Sequence, residues 1–99
     1  MKKVRKLVEF SWDFGNINKN KSKHNVTEKE AEEVFFDENK QEYPDPKHSD
    51  REIRKIVAGK TRAGRLLFIV YTIRNSSIRV ISARDLNKRK EADLYEKAA

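Results

Sequence analysis

The sequence predicts an α+β fold, an antiparallel β-sheet of about four strands with two helices before it and one after. Three observations predict it. Apolar residues concentrate in two short runs, 66–73 and 78–81, too short for helices of ordinary length and rich in β-branched side chains. Short turn sequences, 59–64 and 75–77, bound and join the strand candidates. Upstream, Thr27 and Glu30 have the spacing of a capping box at the start of an amphipathic stretch.

The first element, residues 7–12, alternates loosely, with Phe10 and Trp12 on one side of a strand. Asp13 suits the N-cap of a first helix, on which Phe14, Ile17 and His24 fall near one face. Asn25 suits a left-handed helix end. A second helix then starts at Thr27 and stops near residues 37–39. Ala31, Val34 and Phe35 form its inner face, while Glu28, Glu32 and Glu33 form a solvated outer one.

Tyr43-Pro44-Asp45-Pro46 reads as a surface loop, because proline removes a donor and extends the residue before it. Residues 53–58, 65–74 and 78–82 read as three strands of an antiparallel meander, since their connections are short. Tyr71 falls on the same side as Leu67, Ile69 and Ile73, which makes it a core tyrosine with its hydroxyl at the rim. Asp85 caps a last helix, 86–97, whose few apolar residues would dock it weakly.

A chain of 99 residues holds one core, so residues 1–99 read as a single domain. Cysteine is absent, which removes disulfide and thiolate chemistry and fits a reducing cytoplasm. The apolar runs are too short to span a bilayer, and Glu9 interrupts any signal-like core after the basic start. These features predict a soluble, cytoplasmic protein. The net charge of +7 is unevenly spread: residues 28–50 hold nine acids and three bases, whereas residues 51–99 hold thirteen Lys or Arg and five acids. The basic half is the candidate for a polyanion partner.

One set of residues goes further. Phe10-Ser11-Trp12-Asp13, Asn20, Lys23-His24-Asn25-Val26, Glu30-Ala31 and Val34-Phe35 are followed by Asp45, His48-Ser49, Glu52, Arg54, Gly59 and Gly64-Arg65. Arg74, the run Ile78-Arg79-Val80-Ile81-Ser82-Ala83-Arg84 and Tyr95 complete it. In order and spacing this set resembles the BrnT family of small bacterial ribonuclease toxins. The resemblance implies a RelE-like fold, metal-independent cleavage of RNA that inhibits translation and growth, and no cofactor. It also implies neutralisation by a BrnA-like ribbon-helix-helix antitoxin in a two-plus-two heterotetramer, with operator DNA bound only through the antitoxin. Asn25 stands where the family usually has glycine, a change that a left-handed backbone tolerates.

Metal-free cleavage needs a base for the 2′-hydroxyl, an acid for the leaving 5′-oxygen, and cations around the phosphorane-like transition state. Arg65, Arg79 and Arg84 are the expected phosphate clamp on one part of the sheet, because a planar guanidinium binds phosphate oxygens in pairs. The structural alternative pairs some of them with Glu52, Asp85 or Glu91. Lys23 and His24 could supply a cation and an acid or base, although His24 shares a face with Phe14 and Ile17 and is equally a core histidine. His48 lies in a proline-bounded loop with little packing to explain it, and is the preferred acid or base. Glu52 and Arg54 form either a pair that orients the site or an ordinary strand-face pair. Asp45, His48 and Asp50 are too sparse for a metal site. The competing readings are a nucleic-acid-binding module without chemistry and a partner-binding subunit.

Overall fold

The computed structural model describes residues 9–12, 24–45 and 53–86. The expected first helix and last helix lie outside the described residues, apart from His24 and Leu86 at their edges. Within them the elements are β1 (Glu9–Ser11), α1 (Glu28–Val34), β2 (Gln41–Pro44), β3 (Arg54–Lys60), β4 (Leu66–Arg74) and β5 (Ser77–Asp85).

The five strands form one sheet in the order β1-β5-β4-β3-β2. The meander β2 to β5 is antiparallel as expected, but β1 pairs with β5 in parallel, Phe10 opposite Ile78 and Ser11 opposite Arg79. The sheet is therefore mixed. A parallel pair needs a long crossover, and the sixty-odd residues between the two strands supply one. The extra strand is β2, where the sequence suggested a loop. Pro44 can occupy it because β2 is an edge strand, on which a missing N–H breaks no central ladder.

The two hairpin connections follow local chemistry. Asn75 and Ser76 both have positive φ (49° and 67°), as a tight two-residue hairpin turn demands. Between β3 and β4, Gly64 at φ 89° lets its amide reach the Thr61 carbonyl, while the Thr61 hydroxyl accepts from the Arg65 amide.

Helix α1 begins as its sequence dictates. The Thr27 hydroxyl accepts from the Glu30 amide at 3.1 Å, and the Glu30 carboxylate accepts from the Thr27 amide at 3.0 Å. Asn25, at φ 54°, turns the chain into it. Ala31 and Val34 are buried with Val57, Leu67, Ile69, Tyr71, Val80 and Ala83. The core therefore lies between α1 and one face of the sheet. Phe35 stands edge-on between Phe10 and Tyr71, with ring centres 5.4 and 5.0 Å away.

The outer carboxylates of α1 are engaged as well as solvated, which corrects the simple amphipathic picture. Glu32 accepts from the Trp12 indole at 2.7 Å, Glu33 from the Arg62 amide at 3.1 Å, and Asp37, just beyond the helix, from the Lys60 amide at 2.8 Å. The helix thereby pins the β3–β4 connection. Gly59 sets how closely it can sit: a Cβ there would lie 2.9 Å from Val34 Cγ1 and 3.2 Å from Asp37 Oδ2. Gly59→Ala should cost about 1–3 kcal/mol through overpacking. Urea unfolding measures this, and an unchanged midpoint would mean that the helix is free to lift.

Candidate functional site

A bulge in β5 decides which side chains share a face. Arg79 and Arg84 are five apart, an odd spacing that in a regular strand puts them on opposite faces. The register, however, slips between Val70 and Tyr71: Tyr71 lies opposite Val80 and Val70 opposite Ser82. Ile81 is thus the extra residue, and one extra residue reverses the alternation beyond it. Val80 and Ala83, three apart, both enter the core beneath α1. Arg79 and Arg84 consequently both belong to the other face.

Three consecutive rows of that second face concern the site. Arg54, Thr72 and Arg79 lie in register across β3, β4 and β5. Ile56, Val70 and Ser82 form the next row, and Ala58, Phe68 and Arg84 the third. At about 3.4 Å per residue the outer rows stand roughly 13 Å apart along the strands. The Arg84 guanidinium carbon lies 4.2 Å from the centre of the Phe68 ring, a cation–π contact, and Arg84 also donates to the Asp85 carbonyl at 3.1 Å. Thr72 is buried, its hydroxyl donating to the Ile53 carbonyl at 2.7 Å. Between the rows lies a cavity of about 390 Å³, lined by Asp45, Arg54, Ile56, Phe68, Val70, Ile81 and Ser82.

Arg65, the third member of the expected clamp, does not join them. It reaches to the helix side, where Nε and Nη2 donate to the Asp85 carboxylate at 2.7 and 3.1 Å. Nη1 donates to Glu30 at 3.1 Å and to the Asn25 carbonyl at 2.8 Å, and Nη2 also donates to the His24 carbonyl at 2.9 Å. All of its donor atoms are occupied, so Arg65 acts as a strut that joins the chain at 24–25, helix α1 and the end of β5. This is the structural alternative that the sequence left open for one of the arginines, with Asp85 as the partner. Of the three arginines expected together on the sheet, Arg79 and Arg84 share one face and Arg65 does not, while Arg54 stands on that face with them.

Charge around the strut responds accordingly. A hydrogen bond from the Thr27 amide holds the Glu30 carboxyl below the usual carboxylate range, aided by Arg65. The hydrogen bond from Arg65 does the same for Asp85, with a smaller contribution from the charge of His24. On the helix side, Tyr71 donates to Glu42 at 2.7 Å, and burial together with that carboxylate pushes the phenol's pKa well up. Tyr71 is therefore a core residue with a bonded hydroxyl at the rim, as its parity in the strand suggested.

Of the other expected site residues, His24 lies at the helix-side junction with its carbonyl bound by Arg65. Lys23, His48 and Glu52 lie outside the described residues, and so does Asp50 of the rejected metal set. The Glu52–Arg54 pairing is likewise outside them. Sequence reasoning missed Phe68 and Asp45 as walls of a cavity. The continuous apolar residues 66–71 of β4 were the available signal for Phe68, because such a run furnishes apolar side chains to both faces of a sheet. A larger concavity, about 680 Å³, lies beside Phe36 and the β3–β4 connection. It is remote from the arginine rows, and two of its carboxylates, Glu33 and Asp37, already bind backbone amides.

The chain is similar to known proteins. The model of the family described as the ribonuclease toxin BrnT of type II toxin–antitoxin systems matches residues 12–90. The chain belongs to the BrnT family. Its fold is similar to the crystal structure of the Brucella abortus ribonuclease toxin BrnT, with a TM-score of 0.63 and 18% sequence identity over 82% of this chain and 99% of that one. At that identity the likeness concerns the fold. Among curated proteins none matches. The family match spans both arginine rows, the strut and the bulge. No helix among the described residues is long and apolar enough to cross a membrane.

Proposed function

We propose that this BrnT-family chain is a metal-independent endoribonuclease toxin, and that the face carrying Arg54, Arg79 and Arg84 binds the RNA. The supporting observation is the bulge at Ile81, which turns Arg79 and Arg84 to one side of the sheet and in register with Arg54 and Phe68. Guanidinium groups there would hold phosphate oxygens and stabilise the charge that develops as the 2′-oxygen attacks phosphorus. His48, Glu52, Lys23 and His24 remain the candidates for proton transfer, His48 first. Arg65 would serve the site from behind by fixing the end of β5, beside Arg84.

Growth inhibition would follow from cutting RNA needed for translation, in the cytoplasm, by a toxin of RelE-like ancestry. The neutralising partner would be a BrnA-like ribbon-helix-helix antitoxin in a two-plus-two assembly. It would cover the basic sheet face and engage the 86–97 segment, so its binding should weaken with salt.

The test is cleavage of a defined RNA in EDTA. Scission should persist and leave a 2′,3′-cyclic phosphate or a 3′-phosphate, the products of attack by the neighbouring 2′-hydroxyl. Products ending in a 3′-hydroxyl, or activity abolished by chelation, would overturn the mechanism.

A further inference from the structure

The cavity between the arginine rows has a different composition from a site that holds phosphate alone. Its floor is apolar, built from Ile56, Phe68, Val70 and the bulged Ile81. One end carries the Phe68 ring with the Arg84 guanidinium on it, and the other carries Arg54 beside Asp45, which is 8% exposed. A phosphate gains nothing from an aliphatic floor or a carboxylate wall. A flat heterocycle with amino groups gains from both: its faces pack on apolar carbons and on Phe68, and its N–H groups can donate to a carboxylate, which has about four acceptor positions.

Building on the proposed ribonuclease function, we infer that this cavity is a nucleobase subsite. One base of single-stranded RNA inserts against Phe68 while its flanking phosphates meet Arg79 and Arg84. The separation of the outer rows leaves room for one nucleotide between the cations. Asp45 at the wall favours bases bearing an exocyclic amino group, so uracil is the poorest occupant. The subsite would thereby give the toxin a base preference at one position of its target, which a phosphate clamp by itself cannot supply.

The test uses the intact chain and a short RNA carrying 2-aminopurine, with 2′-O-methyl groups throughout so that no cleavage can occur. Binding is followed by anisotropy of an end label, and insertion by the 2-aminopurine emission. The expected result is a rise in emission on binding, as the base leaves its stacked RNA neighbours for the cavity, with Phe68→Leu binding roughly tenfold more weakly, in line with the loss of one base–aromatic stack, and with little rise. Ile56→Phe, which fills the cavity and leaves the arginines in place, should likewise abolish the rise while retaining salt-dependent binding. Binding without a change in emission, or an equal rise with the wild type and both variants, would overturn the subsite. So would a cavity occupied by a protein side chain instead of a base, because the emission would then not change. A rise in emission with a protein that cleaves no RNA would support the subsite and overturn the ribonuclease reading, so the two fail separately.

Discussion

Arg79→Ala is expected to lower the rate of RNA cleavage by roughly 10²–10³-fold, the effect of removing one preorganised cationic or hydrogen-bonding group from a charged transition state. Growth inhibition should disappear with it. Thermal unfolding should move little, because Arg79 projects away from the core that α1 covers, and its neighbours Ile78 and Val80 supply the apolar packing. Kinetics separate the possible roles. A fall in kcat at constant KM places Arg79 at the transition state, whereas a rise in KM alone places it in ground-state phosphate binding. A melting temperature that collapses together with activity would make Arg79 structural. Arg79→Lys should recover only part of the rate, since an ammonium cannot reproduce the two-pronged contact.

Arg65→Ala should have the opposite signature, a large loss of stability with activity lost as a consequence. Five hydrogen bonds join Arg65 to Asp85, Glu30, Asn25 and His24, yet they are not equal in worth. The Asp85 side chain is 64% exposed, so that arm contributes little. The two carbonyls and Glu30 matter more. Removing the guanidinium should cost about 2–3 kcal/mol, given typical values for hydrogen bonds to a charged group, which corresponds to a melting temperature lower by roughly 10–20 °C in a domain of this size. Unfolding measured by circular dichroism checks this, and a shift under a few degrees would show that the strut is incidental.

The same strut shapes the acid side of the stability profile. Glu30 and Asp85 both have folded-state pKa values below their ordinary 4.5 and 3.8, so each stabilises the fold above its unfolded value. That contribution is lost as pH falls through the depressed folded values. In Arg65→Ala the acid limb below about pH 4.5 should therefore be shallower than in the wild type, Glu30 retaining the share that comes from the Thr27 amide. An identical limb in both proteins would mean that Arg65 does not hold these carboxylates.

How far the sequence anticipated this molecule depended on whether the signal was local. The capping box at Thr27, the left-handed Asn25 and the order of β3, β4 and β5 all rest on neighbours a few residues apart, and all are present. The parallel pairing of β1 with β5 joins residues nearly seventy positions apart, and alternation within 7–12 carries no information about its partner. Edge strand β2 was hidden by Pro44, a residue compatible with both a loop and an edge. For the site, chain order suggested three arginines on one part of the sheet. Arg65 was misplaced because its direction depends on contacts with 24–25, Glu30 and Asp85 that only the fold brings together. The bulge had left a trace in the adjacent apolar pair Val80-Ile81, where regular alternation would place a polar residue, but a broken alternation does not say which residue is extruded.

We propose that RNA binds the sheet face opposite α1, where the bulge at Ile81 brings Arg79 and Arg84 to the side of Arg54. Amide chemical-shift mapping with a cleavage-resistant RNA oligonucleotide tests it most directly. The predicted result is a contiguous set of shifts at Arg54, Ile56, Phe68, Val70, Arg79, Ser82 and Arg84, fading as salt is raised, with α1 unaffected. Shifts centred on Glu28–Val34 and the concavity beside Phe36, with the arginine rows silent, would contradict it.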